Sequence, residues 1–512
     1  MTLSIRRSLQ GTHLFITGAT GFLGLALVEK LLRNVPDCRL TLLVRGADSA
    51  AAKQRFVSLA NGEPLFAGLP ADCFERVDCI AGDITAPQLG MPADARAALR
   101  GRVALVINSA ASVDFDEPLD EATTINIEGP LAVQAFANEI GAGLLHISTA
   151  YVCGDRAGAI PDALDTAALD GEAALAELRT RARAVCTAHG NPDATSANGG
   201  KKLALALSTE GRSHANAKGW PDIYTYTKYI AEVLLAARRG TQPLGIFRPT
   251  VIESAAGGQH PGWLRGVKVM DTILAAYGKG MIPGFPIDLD VPLDVIPVDM
   301  VASAVLAQAA DMLEREARKE RGDAQTPSVC QLGTSVSNPL LLRVVSDCTY
   351  AHYRANPLPD VRGNPIVVRK PRVPLLKNRF RSHATWLERY LAALNGMLWL
   401  SERKPFDAFG KFRRGVLSRQ KNVRRYLSLV KMFGSYANTR RHFSTQQADA
   451  LYARLDAEER QLFNFAHAGI DWRRYLLEHH LPNLDRLIGG NNLAGNNLAS
   501  NNVAANHARA NG

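Results

Sequence analysis

Apolar residues in the first 150 positions fall into short continuous runs, separated by stretches in which they recur every three or four residues. The runs are His13 to Thr17, Arg39 to Val44, Val77 to Gly82, Val103 to Ser109 and Leu144 to Thr149. Runs of this length that do not alternate read as strands buried on both faces, and strands interleaved with helical periodicity read as βαβ units of a parallel sheet. After the first run Leu23, Leu27 and Leu31 repeat every four residues over Phe22 to Asn34. That spacing lays one apolar stripe on a helix, which Pro36 ends. The class expected is α/β.

From Asp155 to Trp220 the rhythm breaks for an insertion, about 155–220, with an alanine-rich helical stretch (Thr166 to Ala188) and a polar Gly/Asn/Ser stretch (Asn191 to Gly200). Periodicity returns with a helix around Tyr224 to Arg239 and a strand from Leu244 to Arg248. Beyond Pro339 the pattern is mainly helical, and Trp386, Leu387, Tyr390, Leu391, Leu394, Met397 and Leu398 mark one apolar helix face. We therefore expect a first domain over 1–338, a smaller, mainly helical one over 339–488, and an Asn-rich disordered tail over 489–512, where a five-residue unit repeats three times.

The chain of 512 residues has room for two or three domains, and its 46% hydrophobic and 21% charged content suits a globular protein. No run approaches the roughly 20 apolar residues of a membrane-crossing helix, and the first residues lack the apolar stretch of a secretory signal, so a cytoplasmic address is expected. Seven scattered cysteines without a C-x-x-C pair suggest neither a disulfide framework nor a metal site. Between Arg362 and Arg441 stand 20 Lys or Arg against three acids, a net +17 that exceeds the +10 of the whole chain. Such a segment could draw a phosphate-rich ligand or the anionic inner face of a membrane, as a peripheral contact, or be a solvated basic face. Nucleic acid is not expected, since no recognised binding motif accompanies the charge.

The first strand runs into Thr17-Gly18-Ala19-Thr20-Gly21-Phe22-Leu23-Gly24 and straight on into the helix. Unpaired amides and the positive dipole end at a helix N-terminus hold a pyrophosphate where nearby residues lack Cβ atoms. A Rossmann-type doubly wound sheet with a bound dinucleotide follows. After the second strand Arg45 offers a planar cation for a 2′-phosphate, and no acid precedes Asp48, which favours NADPH; a solvated surface arginine is the alternative. Asp83, with Ile84 after the third strand, would face the adenine, or serve only as a turn residue.

Tyr224 and Lys228 stand four residues apart at a helix start and so share one face. A phenol with an ordinary pKa of roughly 10 exchanges protons poorly at neutral pH, and a neighbouring ammonium should lower that value. Leu145 to Gly154 ends a buried strand in Ser148 and Thr149, at the sheet edge where ligands of open α/β folds bind. Ser148 could support Thr149 or satisfy backbone groups.

On these residues the chain resembles an extended short-chain dehydrogenase/reductase. The segments TGATGFLG, INSAASVDF, HISTAYVCG, GWPDIYTYTK, IFRPTVIESA, PGWLRGVKV and DVIPVDMVA are similar, in order, to the motifs of alcohol-forming fatty acyl-CoA reductases of the male-sterility type. The resemblance implies Thr149 as the hydroxyl that polarises the substrate carbonyl, Tyr224 as proton donor, and Lys228 as the partner of ribose and tyrosine. It places Pro249 and Thr250 beside the nicotinamide and gives Asn126 a part in ordering a proton relay. The tail repeat and the basic segment depart from the family pattern.

The implied reaction is NADPH-dependent reduction of a long-chain acyl-CoA through an aldehyde to a primary alcohol, with no metal. Cys153 could carry the acyl group as a thioester, or be a small buried hydrophobe. Trp263, Leu264, Val267, Met270, Ile273, Leu274 and Tyr277 form a helical stripe that could wall an acyl tunnel or be plain core. Rival readings are a thioester reductase that unloads a carrier protein, and a membrane-surface protein that keeps the dinucleotide fold without chemistry.

Overall fold

The computed structural model describes residues 2–490 apart from 167, 191–196, 283–288, 319–325, 361 and 371–440. Seven strands form one parallel sheet: β1 (His13–Thr17), β2 (Arg39–Val44), β3 (Val77–Ala81), β4 (Leu105–Asn108), β5 (Gly143–Ile147), β6 (Leu244–Pro249) and β7 (Ser328–Leu332). Their order is β3-β2-β1-β4-β5-β6-β7, so the winding reverses between β1 and β4. That reversal opens a crevice at the carboxyl ends of these two strands.

Alternate residues of each strand enter different cores, as the pleat requires. Leu14, Ile16, Leu105, Ile107 and Leu145 pack with the helices Phe22–Asn34 and Val298–Ala317 on one face. Phe15, Val106 and Leu144 pack with Gly129–Ile140 on the other. The next residues of that second set are Thr17, Asn108 and His146, aligned in register across β1, β4 and β5. Three polar side chains thus continue an apolar row towards the crevice.

The insertion holds two helices where the sequence reading expects one. Gly171–Ala188 is followed by Ala197–Ala217, whose Gly- and Asn-rich start hides the periodicity of Leu203 and Leu207. Both Leu175 and Leu207 pack into one cluster with Ile223, Tyr226 and Ile230 of the helix Ile223–Arg238. The insertion therefore buttresses the helix that carries Tyr224 and Lys228.

Among the described residues two compact units emerge, each discontinuous in sequence: one drawn from 2–263, 295–338 and 441–470, the other from 264–294, 339–370 and 471–490. The chain does pass from one to the other between Asn338 and Pro339. Residues 441–470, which the sequence reading groups with the later helices, lie in the first unit. Arg441–Phe443 pairs in parallel with Gly158–Ile160, and Leu455, Phe463 and Phe465 join the core behind the sheet. The buried Glu459 accepts from Ser4 Oγ (2.7 Å) and the amides of Ile5 (3.1 Å) and Arg6 (3.3 Å), the unpaired donors of the helix Ile5–Leu9. In the second unit the helices Val269–Gly278, Leu342–Ala355 and Leu481–Gly490 gather around Tyr353 and Leu484. Among the described residues no helix is long and apolar enough to cross a membrane.

Candidate active site

The glycine turn sits at the crevice. Gly18 has φ +71°, and a Cβ there would lie 2.6 Å from the backbone of Ser109 and Ala110; a Cβ on Gly24 would lie 2.1 Å from the Gly18 carbonyl oxygen. The first position needs a left-handed conformation and the second a close approach of helix to turn. Gly21 caps the helix Phe22–Asn34 without a side-chain hydrogen bond, at the positive end of the helix dipole where an anionic ligand is favoured. Phe22 stacks on Trp263 at 4.9 Å between ring centroids, and the indole donates to Glu63 (2.9 Å). Leu23 is buried and Thr20 is half-buried beside them.

Arg45 and Asp83 follow neighbouring strands and face each other, with Nε 3.3 Å from the carboxylate. The Arg45 side chain is 69% exposed, so this pair contributes little to stability and leaves the guanidinium able to exchange partners. Asp83 also accepts from the amide (2.9 Å) and hydroxyl (2.8 Å) of Thr85, the role of a turn residue. Ile84 is buried and packs where a Cβ on Gly129 would stand, 2.7 Å away.

Thr149 follows β5 and caps the short turn Ala150–Cys153 through an acceptor bond from Tyr151 N (3.3 Å). Its hydroxyl also hydrogen-bonds the Tyr224 phenol. The structure brings Thr149, Tyr224 and Lys228 to the carboxyl edge of the sheet, but the electrostatics differ from the sequence expectation. Burial, followed by the charge of Asp222, pushes the Tyr224 phenol up, and the Thr149 bond only partly opposes this. Lys228 is not among the groups that lower it, and its amine meets other partners: Nζ donates to the Ile147 carbonyl (2.6 Å) and lies 3.4 Å from His146 Nε2. The Lys228 side chain is almost wholly buried, and desolvation pulls its amine down to about 8, against a weaker upward pull from Glu232.

A loop after β4 closes over this helix. Asn126, in a five-residue π turn (Thr124–Glu128), accepts from Ser112 N (3.0 Å) and donates to Ser112 O (3.1 Å) and Thr227 Oγ1 (3.5 Å). Ser112 donates to Glu117, whose carboxyl burial pushes up to about 7. Phe115 meets the Tyr224 ring edge-on at 5.9 Å. Sequence reasoning gives no role to Ser112, Phe115 and Glu117, although INSAASVDF contains the first two and ends two residues before the third; a buried loop acid has no periodic signal to betray it.

Pro249 ends β6, and the buried Thr250 hydroxyl, like that of Ser148, has no hydrogen-bond partner among the described residues. Orphaned hydroxyls at the ends of β5 and β6, on the same sheet edge as the glycine turn after β1, suit a polar cofactor. Under them Arg248 makes a two-pronged pair with Glu232 (3.0 and 2.5 Å) and donates to Ala163 O (3.0 Å), tying β6 to the helix of Lys228 and to the insertion. Cys153 is buried, and burial pushes its thiol up, away from the nucleophilic thiolate.

The stripe from Trp263 to Tyr277 is not one helix. Trp263 belongs to the first unit against Phe22, whereas Met270, Ile273, Leu274 and Tyr277 are buried on Val269–Gly278 in the second. The Trp386 to Leu398 face, the bulk of the basic segment and the repeated tail beyond residue 490 lie outside the described residues.

Known proteins share both sequence and fold with this chain. The male sterility protein family profile matches residues 16–305. The chain is 30% identical to the probable fatty acyl-CoA reductase 5 of Arabidopsis thaliana, over 94% of its own length and 99% of the relative's. It is 29% identical to the alcohol-forming fatty acyl-CoA reductase of Simmondsia chinensis, over 94% and 98%. Among solved structures, the terminal R domain of the myxalamid PKS-NRPS biosynthetic pathway matches with a TM-score of 0.58 at 16% identity, over 93% of this chain and 91% of that one. The reductase domain of a non-ribosomal peptide synthetase from Mycobacterium tuberculosis matches with 0.53 at 20%, over 95% of each. At such identities the structural likeness is one of fold.

Proposed function

Since the chain belongs to the fatty acyl-CoA reductase family and is an NAD(P)-dependent oxidoreductase, we propose that it reduces long-chain acyl-CoA to the primary alcohol with NADPH. What supports this reading is that Thr149, Tyr224 and Lys228 meet at the carboxyl end of β5, on the same sheet edge as the glycine turn that follows β1 two strands away. A dinucleotide bound there would lie on the turn of Gly18, Gly21 and Gly24, with Arg45 toward the 2′-phosphate and Asp83 and Ile84 toward the adenine. Pro249 and Thr250 would line the nicotinamide end, where the Thr250 hydroxyl, unpartnered among the described residues, could meet it. The bound cofactor supplies hydride.

The remaining work falls to the protein. Thr149 and Tyr224 hold the thioester oxygen as negative charge builds on it, and Tyr224 gives that oxygen its proton. A phenol kept protonated by burial is in the state a donor needs, and the Thr149 hydroxyl steadies the phenolate left behind. The hemithioacetal expels coenzyme A as thiol. The aldehyde that remains has a more electrophilic carbonyl than the thioester, so Thr149 and Tyr224 serve a second reduction at the same place. With its thiol held protonated, Cys153 is not needed as an acyl carrier.

Products separated by gas chromatography after incubation with NADPH and acyl-CoAs of several lengths test the reading. Alcohol formed with two NADPH consumed per acyl-CoA supports it. A ratio of one with aldehyde released, or turnover of acyl-carrier protein in preference to acyl-CoA, overturns it in favour of a thioester reductase.

A further inference from the structure

The row of polar residues that crosses the sheet continues into Lys228. Thr17 Oγ1 accepts the Ala110 amide (3.3 Å) and donates to Asn108 Oδ1 (2.6 Å); Asn108 Nδ2 lies 3.1 Å from His146 Nδ1, and His146 Nε2 lies 3.4 Å from Lys228 Nζ. Thr17, Asn108 and His146 are fully buried, with Lys228 nearly so, and each has its neighbour in the chain within reach. Because three of them are register partners on adjacent strands, the spacing is set by the sheet itself.

Counting protons gives the chain a direction. The Thr17 hydroxyl has one proton and spends it on Asn108 Oδ1, which turns the amide nitrogen toward His146. Nδ1 must then accept, so the ring proton sits on Nε2 and points at Lys228. The amine already donates to Ile147 O, and to receive Nε2–H it must present a lone pair, which an ammonium lacks. We propose that His146 is a positioning residue for Lys228: the chain Thr17–Asn108–His146 runs in the direction that favours the neutral amine, and it must reverse along its whole length when the amine takes up a proton.

Reversal takes one net proton from solvent, the one that charges the amine; the ring exchanges its own proton between its nitrogens, and the Thr17 hydroxyl turns its proton away from Asn108. A charged Lys228 donates to Nε2, the ring carries its proton on Nδ1, the Asn108 amide turns over so that Oδ1 accepts from Nδ1, and Nδ2 donates to Thr17 Oγ1. The imidazole stays neutral in both directions, as burial beside the Lys228 charge demands. Of the charged groups around the amine, Glu232 lies one turn on along its own helix and is neutralised by Arg248 from β6; Tyr224 stands one turn before, and His146 is the titratable group that meets the amine from β5. Ring tautomer and amine protonation therefore form one two-state element, linking the strand that leads into the glycine turn to the proposed partner of the catalytic phenol.

The link to catalysis rests on the role proposed for Lys228, but the switch itself can be read in the protein without substrate. In full-length enzyme labelled with ¹⁵N-histidine and ¹³Cε-lysine, the His146 and Lys228 signals are assigned by their loss in His146→Phe and Lys228→Met. The expected result is a neutral His146 ring whose proton moves from Nδ1 to Nε2 as pH rises, with the same midpoint as Lys228. In Asn108→Asp, nearly isosteric, the carboxylate accepts at both ends, so the ring should lock with its proton on Nδ1 and the Lys228 midpoint should rise by about one pH unit, a tenfold change in its proton equilibrium. In Thr17→Val, which adds no charge, the midpoint should rise by a smaller amount. A ring tautomer that stays fixed while Lys228 titrates, or a Lys228 midpoint unmoved in both variants, overturns the inference. Neither result depends on which substrate the enzyme reduces.

Discussion

Replacing Lys228 by methionine should make the protein more stable at neutral pH while disabling it. An exposed lysine loses its proton near 10.5, whereas burial brings the Lys228 amine down to about 8. A displacement of about two and a half pH units corresponds to roughly 3 kcal/mol. Below pH 8 both folded and unfolded chains carry the proton, so the folded state bears the whole cost of the buried charge. Between 8 and 10.5 unfolding takes up a proton, and stability rises with pH until the cost is gone. Lys228→Met removes the cost and also the bond to Ile147 O, worth about 1 kcal/mol. The variant should therefore be more stable by about 2 kcal/mol at pH 7, with its advantage lost by about pH 10. Urea unfolding of both proteins at the two pH values reads this directly, because the difference between them cancels groups that titrate alike. A difference that stays constant with pH, or a wild type that is the more stable at pH 7, would refute the reasoning.

Other perturbations probe neighbouring parts of the site. Tyr224→Phe should lower kcat by about 10²- to 10⁴-fold and leave dinucleotide affinity by fluorescence titration nearly unchanged. Arg248→Met should cost about 3–5 kcal/mol in urea unfolding by stranding the buried Glu232 carboxylate, and much of that should return in the double variant with Glu232→Leu. Arg45→Ala should weaken NADPH binding by roughly tenfold, about 1.4 kcal/mol, with NADH binding unaffected in calorimetry, since the guanidinium is proposed to meet only the 2′-phosphate. Gly24→Ala, whose Cβ would stand 2.1 Å from Gly18 O, should force the turn open and abolish dinucleotide binding in the same assay.

Much of the sheet could be read along the chain because its signal is local. β1 and β2 and the helix Phe22–Asn34 begin and end where the apolar runs do, and β3 to β6 agree to within two residues, whereas β7 (Ser328–Leu332) is not among the expected strands. Proline, glycine and strand burial act within a few residues of one another, so a linear pattern carries them. The helix Ala197–Ala217 escaped because its opening Asn and Gly residues read as loop, and tertiary packing on Ile223 and Tyr226 outweighs that local preference. The placement of 441–470 escaped for a different reason: Glu459 caps a helix some 450 residues earlier in the chain, and no local pattern reports a partner at that distance.

That Tyr224 and Lys228 share one helical face, that Ser148 and Thr149 end a buried strand, and that a glycine turn precedes the first helix could be read from the amino-acid order alone, since spacing on one helix or strand end is a short-range property; the roles proposed for these residues rest on resemblance. Their protonation could not be read there. How far an amine or a phenol is withdrawn from water, and which carbonyl or ring meets it, depends on strands β1, β4 and β5 coming side by side in one register. Only the assembled sheet puts Thr17, Asn108 and His146 in line with Lys228, because parallel pairing joins residues that lie 91 and 38 positions apart in the chain.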